Sequence, residues 1–314
     1  MENAVKIVLS RRATLEQRQA RRRINWRGQI TAFLFLLPAL LAFVTFNWYP
    51  MVKAVGYSFQ KVKLAGGSTW VGFDNYRRML GNPLFATAWR NVLEFTVLSV
   101  LLGFIIPIIV ALMINELRRL GGVFGLIAYL PTLIPVTIAL LVWRQLYAPE
   151  GGFINSILAS VGIPAQLWLQ NPLLAKPAMI VIMTWAGVGG TILIYTAALK
   201  EIPQELYEAA QLDGFSVWDR IRFIVLPLLA SRIAMLLVLQ VIFVAQVFAE
   251  PQLLTQGGPA NSTVTPVLEI YRTAFDRGDY GLASAWSVSL LAVLAVFSIA
   301  YVRLSFRNDE ASGR

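Results

Sequence analysis

Residues Tyr207–Leu229 read YEAAQLDGFSVWDRIRFIVLPLL, a polar segment that is acidic at its front and interrupted by one glycine. It lies between two long apolar runs, near 177–199 and 225–249. A chain that crosses a membrane has little reason to place a short, well-specified helix–turn–helix there unless something soluble docks on it. The segment therefore predicts a membrane protein that works with a partner at its surface.

The composition of the whole chain supports a membrane protein. The chain has 314 residues, of which 57% are hydrophobic and 14% charged, and its mean hydropathy is +0.63. A soluble domain has roughly 45–50% apolar and about 25% charged residues. The sequence contains no cysteine and no histidine, which excludes thiol and imidazole nucleophiles, disulfides, and metal sites built from those residues. No catalytic residue and no metal ligand is predicted.

Apolar runs long enough to cross a bilayer as helices divide the chain. About 20 such residues are needed for one span. We predict an all-α integral membrane protein in which a six-span membrane region, 29–306, lies between the tails 1–28 and 307–314. Its six spans are expected near 29–49, 91–114, 123–147, 177–199, 225–249 and 283–305.

The distribution of positive charge predicts the orientation. The net charge is +10, and a cluster of arginines precedes the first apolar run, as is typical of a cytoplasmic flank and not of a nucleic-acid surface. If the N-terminus is inside, sixteen lysines and arginines fall on the cytoplasmic side and nine on the other. Both termini are therefore expected in the cytoplasm, where the tail could also lie on anionic lipid. Arg144 and Arg232 lie near the ends of their spans and are expected to reach an interface.

Proline and glycine interrupt several spans. Pro107 lies in span two, Pro131 and Pro135 lie in span three, and Gly187, Gly189 and Gly190 lie in span four. Freed backbone groups in a membrane need neighbouring helices, so these spans belong to a packed bundle. The breaks could serve close packing of small residues, or they could line a cavity that changes during transport.

The polar segment can be interpreted residue by residue. Pro203 suits the start of a helix, and Glu205 complements the positive end of the helix dipole. Gly214 suits the left-handed position that ends a helix. Ser216 with Asp219 fits the capping box of a second short helix. The sequence thus predicts helix, glycine turn, helix and span, either as a surface loop or as a docking element.

The residues of this segment also carry a family resemblance. Glu208-Ala209-Ala210, Asp213-Gly214 and Ile224-x-Leu226-Pro227 resemble the EAA motif of binding-protein-dependent ABC importer permeases. The carbohydrate branch, of maltose and glycerol-3-phosphate type, is indicated by further strings at both ends of the chain. These are Leu36-Leu37-Pro38, Gly72-Phe73-x-Asn75-Tyr76, Leu253-Leu254-Thr255-Gln256-Gly257-Gly258-Pro259 and Tyr280-Gly281-x-Ala283-Ser284-Ala285. Departures at Phe215, Ile221 and Ser231 affect only the expected fit of the docking element.

The resemblance implies a type I ABC importer permease bundle with a core of about 87–304 and a cytoplasmic coupling helix between spans four and five. The chain would be a non-catalytic subunit in a bacterial inner membrane. It would work with a second permease, two ATPase subunits that bind ATP and Mg, and an extracytoplasmic sugar-binding protein. No GxxxxGK[ST] string is present, so ATP would bind elsewhere. The coupling residues would be Glu208, Ala209, Ala210, Asp213 and Gly214.

The resemblance also implies where a sugar would pass. Gly257, Gly258 and Pro259 would contact the binding protein, as would Glu250, although a glycine-rich loop can equally be a tight turn. Gln240 and Gln246 are the nearest amides to the expected site, and the partner permease could supply most contacts instead. The pathway residues would be Thr132, Met183, Trp185, Gly187, Gly190, Gln240, Phe243, Val244, Gln246 and Val247.

A secondary transporter and a membrane-embedded enzyme are the two alternatives to an ABC permease. A secondary transporter would place ionisable residues in mid-span, and a membrane-embedded enzyme would need a cluster of catalytic groups; the sequence offers neither. Within the ABC class, glycerol-3-phosphate or glycerophosphodiesters are the alternative cargo.

Overall fold

A computed structural model describes the backbone of residues 26–62, 67–117 and 120–311, and the side chains of residues 29–62, 67–117 and 120–303. The predicted basic tail, Lys63, Arg118, Arg119 and the C-terminal tail beyond the last helix lie outside the described side chains. The chain divides into two compact units, Met1–Gly56 and Tyr57–Arg314. The described part is mostly helical, as the sequence predicts.

The first span is longer than its apolar run. Helix α1 (Trp26–Phe43), a π-helical turn (Val44–Trp48) and α2 (Tyr49–Ser58) continue one another, and residues Gln29–Ser58 form one candidate span. The predicted end at 49 is therefore wrong. Pro50 cannot donate to the preceding turn, and the wide π-helical turn before it lets the helix continue.

A small hairpin and a short helix follow the first span. Strands β1 (Gln60–Val62) and β2 (Ser68–Trp70) pair antiparallel, and α3 spans Asp74–Leu80. The buried side chain of Asn75 donates through Nδ2 to the carbonyl oxygens of Ser58 (3.0 Å) and Gln60 (2.9 Å). Asn75 therefore holds the hairpin against α3.

Span two is continuous. It consists of α4 (Leu84–Leu98), a π-helical turn (Ser99–Phe104) and α5 (Ile105–Glu116), which together make a candidate span of 33 residues. Pro107 lies in the first turn of α5 and does not interrupt the span, contrary to expectation. The adjoining π-helical turn absorbs the missing hydrogen bond.

Span three is broken, as its prolines predict. Helix α6 (Gly121–Tyr129) continues into a 3₁₀ turn (Leu130–Leu133), and α7 (Val136–Leu146) leaves at 96°. Pro135 precedes α7 with ψ 131°, an extended conformation that ends the first half. The break predicted within 123–147 is therefore confirmed, and whether the bent pair crosses the membrane once decides between five and six spans in the described chain.

The remaining helices include three long ones. The candidate span Ala175–Lys200 extends the run predicted at 177–199 by a few residues. Val217–Val244 begins before the predicted 225 and ends before the predicted 249, because the helix stops at Val244. Tyr280–Arg303 corresponds to the run predicted at 283–305. The helices are α8 (Phe153–Ser160), α9 (Ala175–Lys200), α10 (Gln204–Leu212), α11 (Val217–Arg220), α12 (Leu226–Val244), α13 (Pro266–Tyr271) and α14 (Tyr280–Ala311), with π-helical turns at Ile221–Val225, Pro251–Thr255 and Arg272–Asp276.

Buried side chains form three clusters in the second unit. One, around Phe104, Tyr195 and Leu229, lies at the end where α9 leads into α10. Another, around Phe95 and Met179, lies at the opposite end of α9, and the third surrounds Trp286. Much of the described surface elsewhere is apolar, as expected for a chain whose solvent is partly lipid.

Candidate functional site

Helix α10 carries the three residues Glu208, Ala209 and Ala210 on different faces. Ala210 is buried against the bundle, whereas Glu208 and Ala209 are exposed. Gln204 donates through Nε2 to Glu208 Oε1 at 3.0 Å, one turn away on the same open face. The helix therefore rests on the bundle through a small side chain and presents a carboxylate outward.

Helix α10 ends in the left-handed turn that its glycine predicts. Gly214 has φ +79°, and its N–H donates to Gln211 O at 3.2 Å. The N–H of Phe215 donates to Ala210 O at 2.9 Å. These two bonds are those of a Schellman motif, which satisfies the last carbonyls of the helix. The predicted turn is confirmed.

The second short helix begins with a reciprocal cap. Asp219 N–H donates to Ser216 Oγ at 3.2 Å, and Ser216 N–H donates to Asp219 Oδ2 at 3.0 Å. The predicted capping box is therefore confirmed. With both ends of the turn fixed by hydrogen bonds, α10 and α11 form one rigid helix–turn–helix.

Tyr207 joins this element to the spans behind it. Its ring packs against the cluster around Tyr195 and Leu229, next to Ile202. Its hydroxyl is buried and has no hydrogen-bond partner among the described residues. A cavity of about 170 Å³, lined in part by Glu116 and Arg220, lies beside it. The pKa of Tyr207 is raised, mainly by burial and further by Glu116, while Arg220 lowers it.

The outward side of the turn is apolar. Leu212 is 88% exposed and Trp218 66% exposed, and Val217, Phe215 and Phe223 are also exposed. Exposed large apolar side chains grouped on a polar, capped element are a feature of protein-binding surfaces. The arrangement is suited to transmitting the position of a bound partner to the spans.

The glycines of span four have different surroundings. A Cβ at Gly189 would lie 2.6 Å from Tyr129 Cα and 2.8 Å from Thr132 Oγ1, so only glycine allows α9 to pack against the bend in span three. A Cβ at Gly187 or Gly190 would meet nothing within 4 Å. Close packing thus explains Gly189, whereas the two glycines of the expected pathway border open space.

The other expected pathway residues of span four and the bend are partly accessible. Thr132 is exposed, and Met183 and Trp185 are half-buried. The Trp185 ring meets that of Trp143 edge to face at 5.6 Å. These residues lie where the broken helix meets α9, and they offer an aromatic edge and a hydroxyl.

The expected residues of span five are divided between surface and core. Gln240 donates through Nε2 to Ser99 Oγ at 2.5 Å, which joins α12 to the π-helical turn of span two. Phe243 is 63% exposed, whereas Val244 and Val247 are buried in the core and present no surface in this conformation. In addition, Gln246 is exposed and donates to its own helix at Ile242 O (2.9 Å).

The loop of the two adjacent glycines is tightly built. Gly257 is buried with φ +77°, and a Cβ there would lie 2.9 Å from Val264 Cγ2 and 3.0 Å from Arg272 Nη2. Arg272 donates to Gln256 O at 2.6 Å. A tight turn accounts for Gly257, while Gly258 and Pro259 remain partly exposed beside a cleft of about 460 Å³.

Acidic residues near this loop face inward. Glu269 is fully buried and pairs with Arg272 (3.4 Å) and Arg277 (3.2 Å). Glu250, expected to face a partner, is instead buried, and desolvation raises the pKa of its carboxyl. Among the described residues, no group of three acidic side chains could hold a metal ion.

The sequence did not predict the ion pair and the hydrogen bond of a buried lysine. Lys176 is 6% exposed, and its ammonium donates to Asn91 Oδ1 at 2.8 Å and pairs with Glu94. Asn91 in turn donates to the carbonyl oxygens of Asn261 and Val264, each at 2.8 Å. These contacts join span two, span four and the loop after Pro259. Their only sequence signal was the spacing of Asn91 and Glu94 on one helix face.

Comparison with known proteins relates these features to a family. Residues 100–309 match the family described as "Binding-protein-dependent transport system inner membrane component". An arabinooligosaccharide transport system permease protein from Halalkalibacterium halodurans is 31% identical over 280 residues, which are 88% of each chain. A trehalose/maltose transport system permease protein from Thermococcus litoralis is 31% identical over 289 residues, 91% of this chain and 98% of that one.

A solved structure agrees along most of the chain. It is that of a bacterial alginate ABC transporter in complex with an alginate pentasaccharide-bound periplasmic protein. One of its chains is 28% identical, with a TM-score of 0.80, covering 90% of this chain and 96% of the other. The likeness therefore extends beyond the family match to the region before residue 100.

Proposed function

This chain belongs to the family of binding-protein-dependent transport system inner membrane components, and we propose that it is the permease subunit of an ABC importer for a sugar or oligosaccharide. It is a multi-pass membrane protein with the fold of an ABC importer permease. The carbohydrate cargo is supported by relatives that transport arabinooligosaccharides, by one for trehalose and maltose, and by the alginate importer.

The coupling element is the observation on which the mechanism depends. Helix α10 and its Schellman turn form a rigid unit that exposes Glu208, Ala209, Asp213 and Leu212 while seating Ala210 against the bundle. In the proposed mechanism, an ATPase subunit docks on this exposed side. ATP and Mg bind to the ATPase pair, and closure of that pair moves α10 as one piece.

Movement of α10 can reach the pathway through the packed core. Tyr207 packs on the cluster that includes Tyr195, and α9 continues from there to Gly189 at the bend in span three. ATP would thus shift the population between outward-open and inward-open states, because it binds one state of the ATPase pair more tightly. The ten pathway residues remain the proposed sugar contacts, with Val244 and Val247 needing a different state to become accessible.

The outer end is proposed to receive an extracytoplasmic binding protein. The solved relative is described with a periplasmic protein bound. In this chain, Gly258 and Pro259 form one wall of the cleft of about 460 Å³ that also contains Arg144 and Gln170. A second, homologous permease would complete the pathway, and both termini would lie in the cytoplasm of a bacterial cell.

Reconstitution tests this function directly. The permease is purified with its partner permease and ATPase subunits, placed in liposomes with the binding protein outside, and supplied with ATP inside. Uptake of labelled maltose, arabinooligosaccharides and glycerol-3-phosphate is then compared. We expect ATP-dependent uptake of a carbohydrate. Uptake of glycerol-3-phosphate alone would overturn the carbohydrate assignment, and uptake driven by an ion gradient without ATP would overturn the importer mechanism.

A further inference from the structure

A second cavity lies apart from the proposed sugar pathway. It has a volume of about 400 Å³ and lies where the end of span two, the start of span three and the end of span four meet. Leu193, Thr196 and Lys200 of α9 line it. These residues follow Gly189 on one face of the helix, because residues three and four apart are neighbours in a helix. The pathway glycine Gly187 lies on the opposite face, and Gly190 lies beside the cavity face but does not line the cavity.

Glycines of α6 create the space. Gly125 is buried, yet a Cβ built there would meet no atom within 4 Å, and the same is true of Gly122. Gly121 differs, because a Cβ there would lie 2.9 Å from Ile114 O. Gly121 is thus required for packing, whereas Gly122 and Gly125 leave a volume that their neighbours do not fill.

The lining combines polar groups with an apolar strip. Thr196 Oγ1 is buried and has no hydrogen-bond partner in the described part of the chain. The Lys200 ammonium forms no ion pair with any described carboxylate, and Asn115 also lines the cavity. Leu126 (61% exposed) and Leu193 (46% exposed) continue the lining as an apolar strip.

We propose that this cavity binds an anionic phospholipid of the inner leaflet. Its phosphate accepts hydrogen bonds from Lys200 and Asn115, and an acyl chain lies along Leu126 and Leu193. Basic pockets between transmembrane helices on the cytoplasmic side bind such headgroups. The assignment to the inner leaflet rests on the orientation given under the proposed function.

The ordinary role of Lys200 is to complement the C-terminal end of the α9 dipole. That role does not explain the empty space at Gly125 or the apolar strip beside it. A lipid phosphate with its chain accounts for the charge, the empty space and the apolar strip together.

Lipid retention tests the proposal. The transporter, purified with its partner subunits, is equilibrated in nanodiscs of mixed phosphatidylglycerol and phosphatidylcholine, and retained lipid is measured by native mass spectrometry. We expect phosphatidylglycerol to be retained in preference. Lys200→Gln should lower that preference about fivefold, which corresponds to the ~1 kcal/mol of one lysine at an anionic surface. Gly125→Leu should abolish retention by filling the cavity.

Matched variants keep the result interpretable. Lys53→Gln removes an exposed lysine from span one, and Gly56→Leu fills a position that is equally free of neighbours; both should retain lipid as the native chain does. Gly122→Leu replaces Gly125→Leu if the latter does not assemble. Unchanged preference in Lys200→Gln, or displacement of the lipid by an equal concentration of inorganic phosphate, would overturn the lipid site.

The outcome is separable from that of the proposed function. Retention is measured without sugar or transport, so a native transporter that takes up sugar normally but shows no preference for phosphatidylglycerol rejects the lipid site alone. Retained lipid with no ATP-dependent uptake rejects the importer alone.

Discussion

Gly214 combines a left-handed backbone conformation with a place in the proposed coupling element. Its φ of +79° lies in the left-handed region, yet a Cβ would meet no atom within 4 Å. A substitution there therefore strains the backbone without a collision. Replacing it by alanine should cost roughly 1–2 kcal/mol, the usual penalty of an L-residue in this region.

Gly151 provides a matched comparison for Gly214. It has φ +69°, is equally free of neighbours, and lies between α7 and α8, away from α10. We predict that Gly214→Ala and Gly151→Ala lower the thermal stability of the purified transporter by similar amounts. Only Gly214→Ala should lower the ATPase activity stimulated by the binding protein. Equal loss of stimulation in both variants would mean that the turn has no special role in coupling.

Residues whose partners are close in sequence were predictable, and those with distant partners were not. Ser216 and Asp219 form their cap within one turn, so the spacing alone identifies it. The hydrogen bond of Gln240 with Ser99, in contrast, joins residues 141 positions apart. Likewise, Lys176 is one of the nine lysines and arginines that the sequence assigns to the outer side. No residue near it in the sequence indicates its contacts with Asn91 and Glu94.

At the scale of elements, α10 acts on the spans through Tyr207. The hydroxyl makes no hydrogen bond among the described residues, whereas the ring packs on the core. Tyr207→Phe should therefore preserve both stability and coupling, since it removes only an unpaired polar group. Tyr207→Ala should lose up to about 3 kcal/mol, the low end for removing a buried aromatic ring.

The two Tyr207 variants distinguish a role of the ring in packing from a role of the hydroxyl group. Co-purification of the ATPase subunits reports docking, and ATPase stimulation by the binding protein reports coupling. We expect Tyr207→Ala to retain part of the docking but to lose stimulation, because α10 would move without carrying the spans. If Tyr207→Phe loses stimulation as well, the hydroxyl has a partner in another state of the transporter; Glu116 and Arg220 line the cavity beside it.

Helix boundaries show which physical effects a hydropathy pattern omits. Pro107 was predicted to interrupt span two, and span one was predicted to end near residue 49, before Pro50. Both prolines follow π-helical turns that let their helices continue. Pro131 and Pro135 do break span three, because the backbone before Pro135 is extended and the helix changes direction by 96°. The sequence marks each proline but not whether the preceding turn can widen to accommodate it.

At the scale of the whole molecule, ion pairs neutralise part of the positive charge on which the predicted orientation depends. On the predicted outer side, Arg78 pairs with Asp279, Lys176 with Glu94, and both Arg272 and Arg277 with Glu269. On the predicted inner side, Lys200 and Arg222 form no ion pair with a described carboxylate. Lys53, Lys61 and Arg77 on the predicted outer side form no ion pair with a described carboxylate either, and Arg232 pairs with Glu201 near the inner side. Ion pairing therefore does not distinguish the two sides, and the orientation needs a direct measurement.

The orientation can be measured because the chain contains no cysteine. Single replacements Asp213→Cys, in the turn after α10, and Asp276→Cys, before α14, introduce exposed thiols at opposite ends of the proposed topology. A membrane-impermeant maleimide should label Asp276→Cys in intact spheroplasts and Asp213→Cys only after lysis. The native chain gives the background, and the amount of each variant recovered in the membrane fraction shows that it is inserted.

Both proposals require α10 to lie on the cytoplasmic side, so the labelling result tests them together. The ATPase subunits need α10 in the cytoplasm, and the phospholipid cavity lies at the same end of α9 as α10, since Lys200 closes the helix beside both. Labelling of Asp213→Cys from outside would place α10 beyond reach of ATP and the cavity in the outer leaflet. It would therefore reject the docking role and the inner-leaflet site together, whatever the cargo.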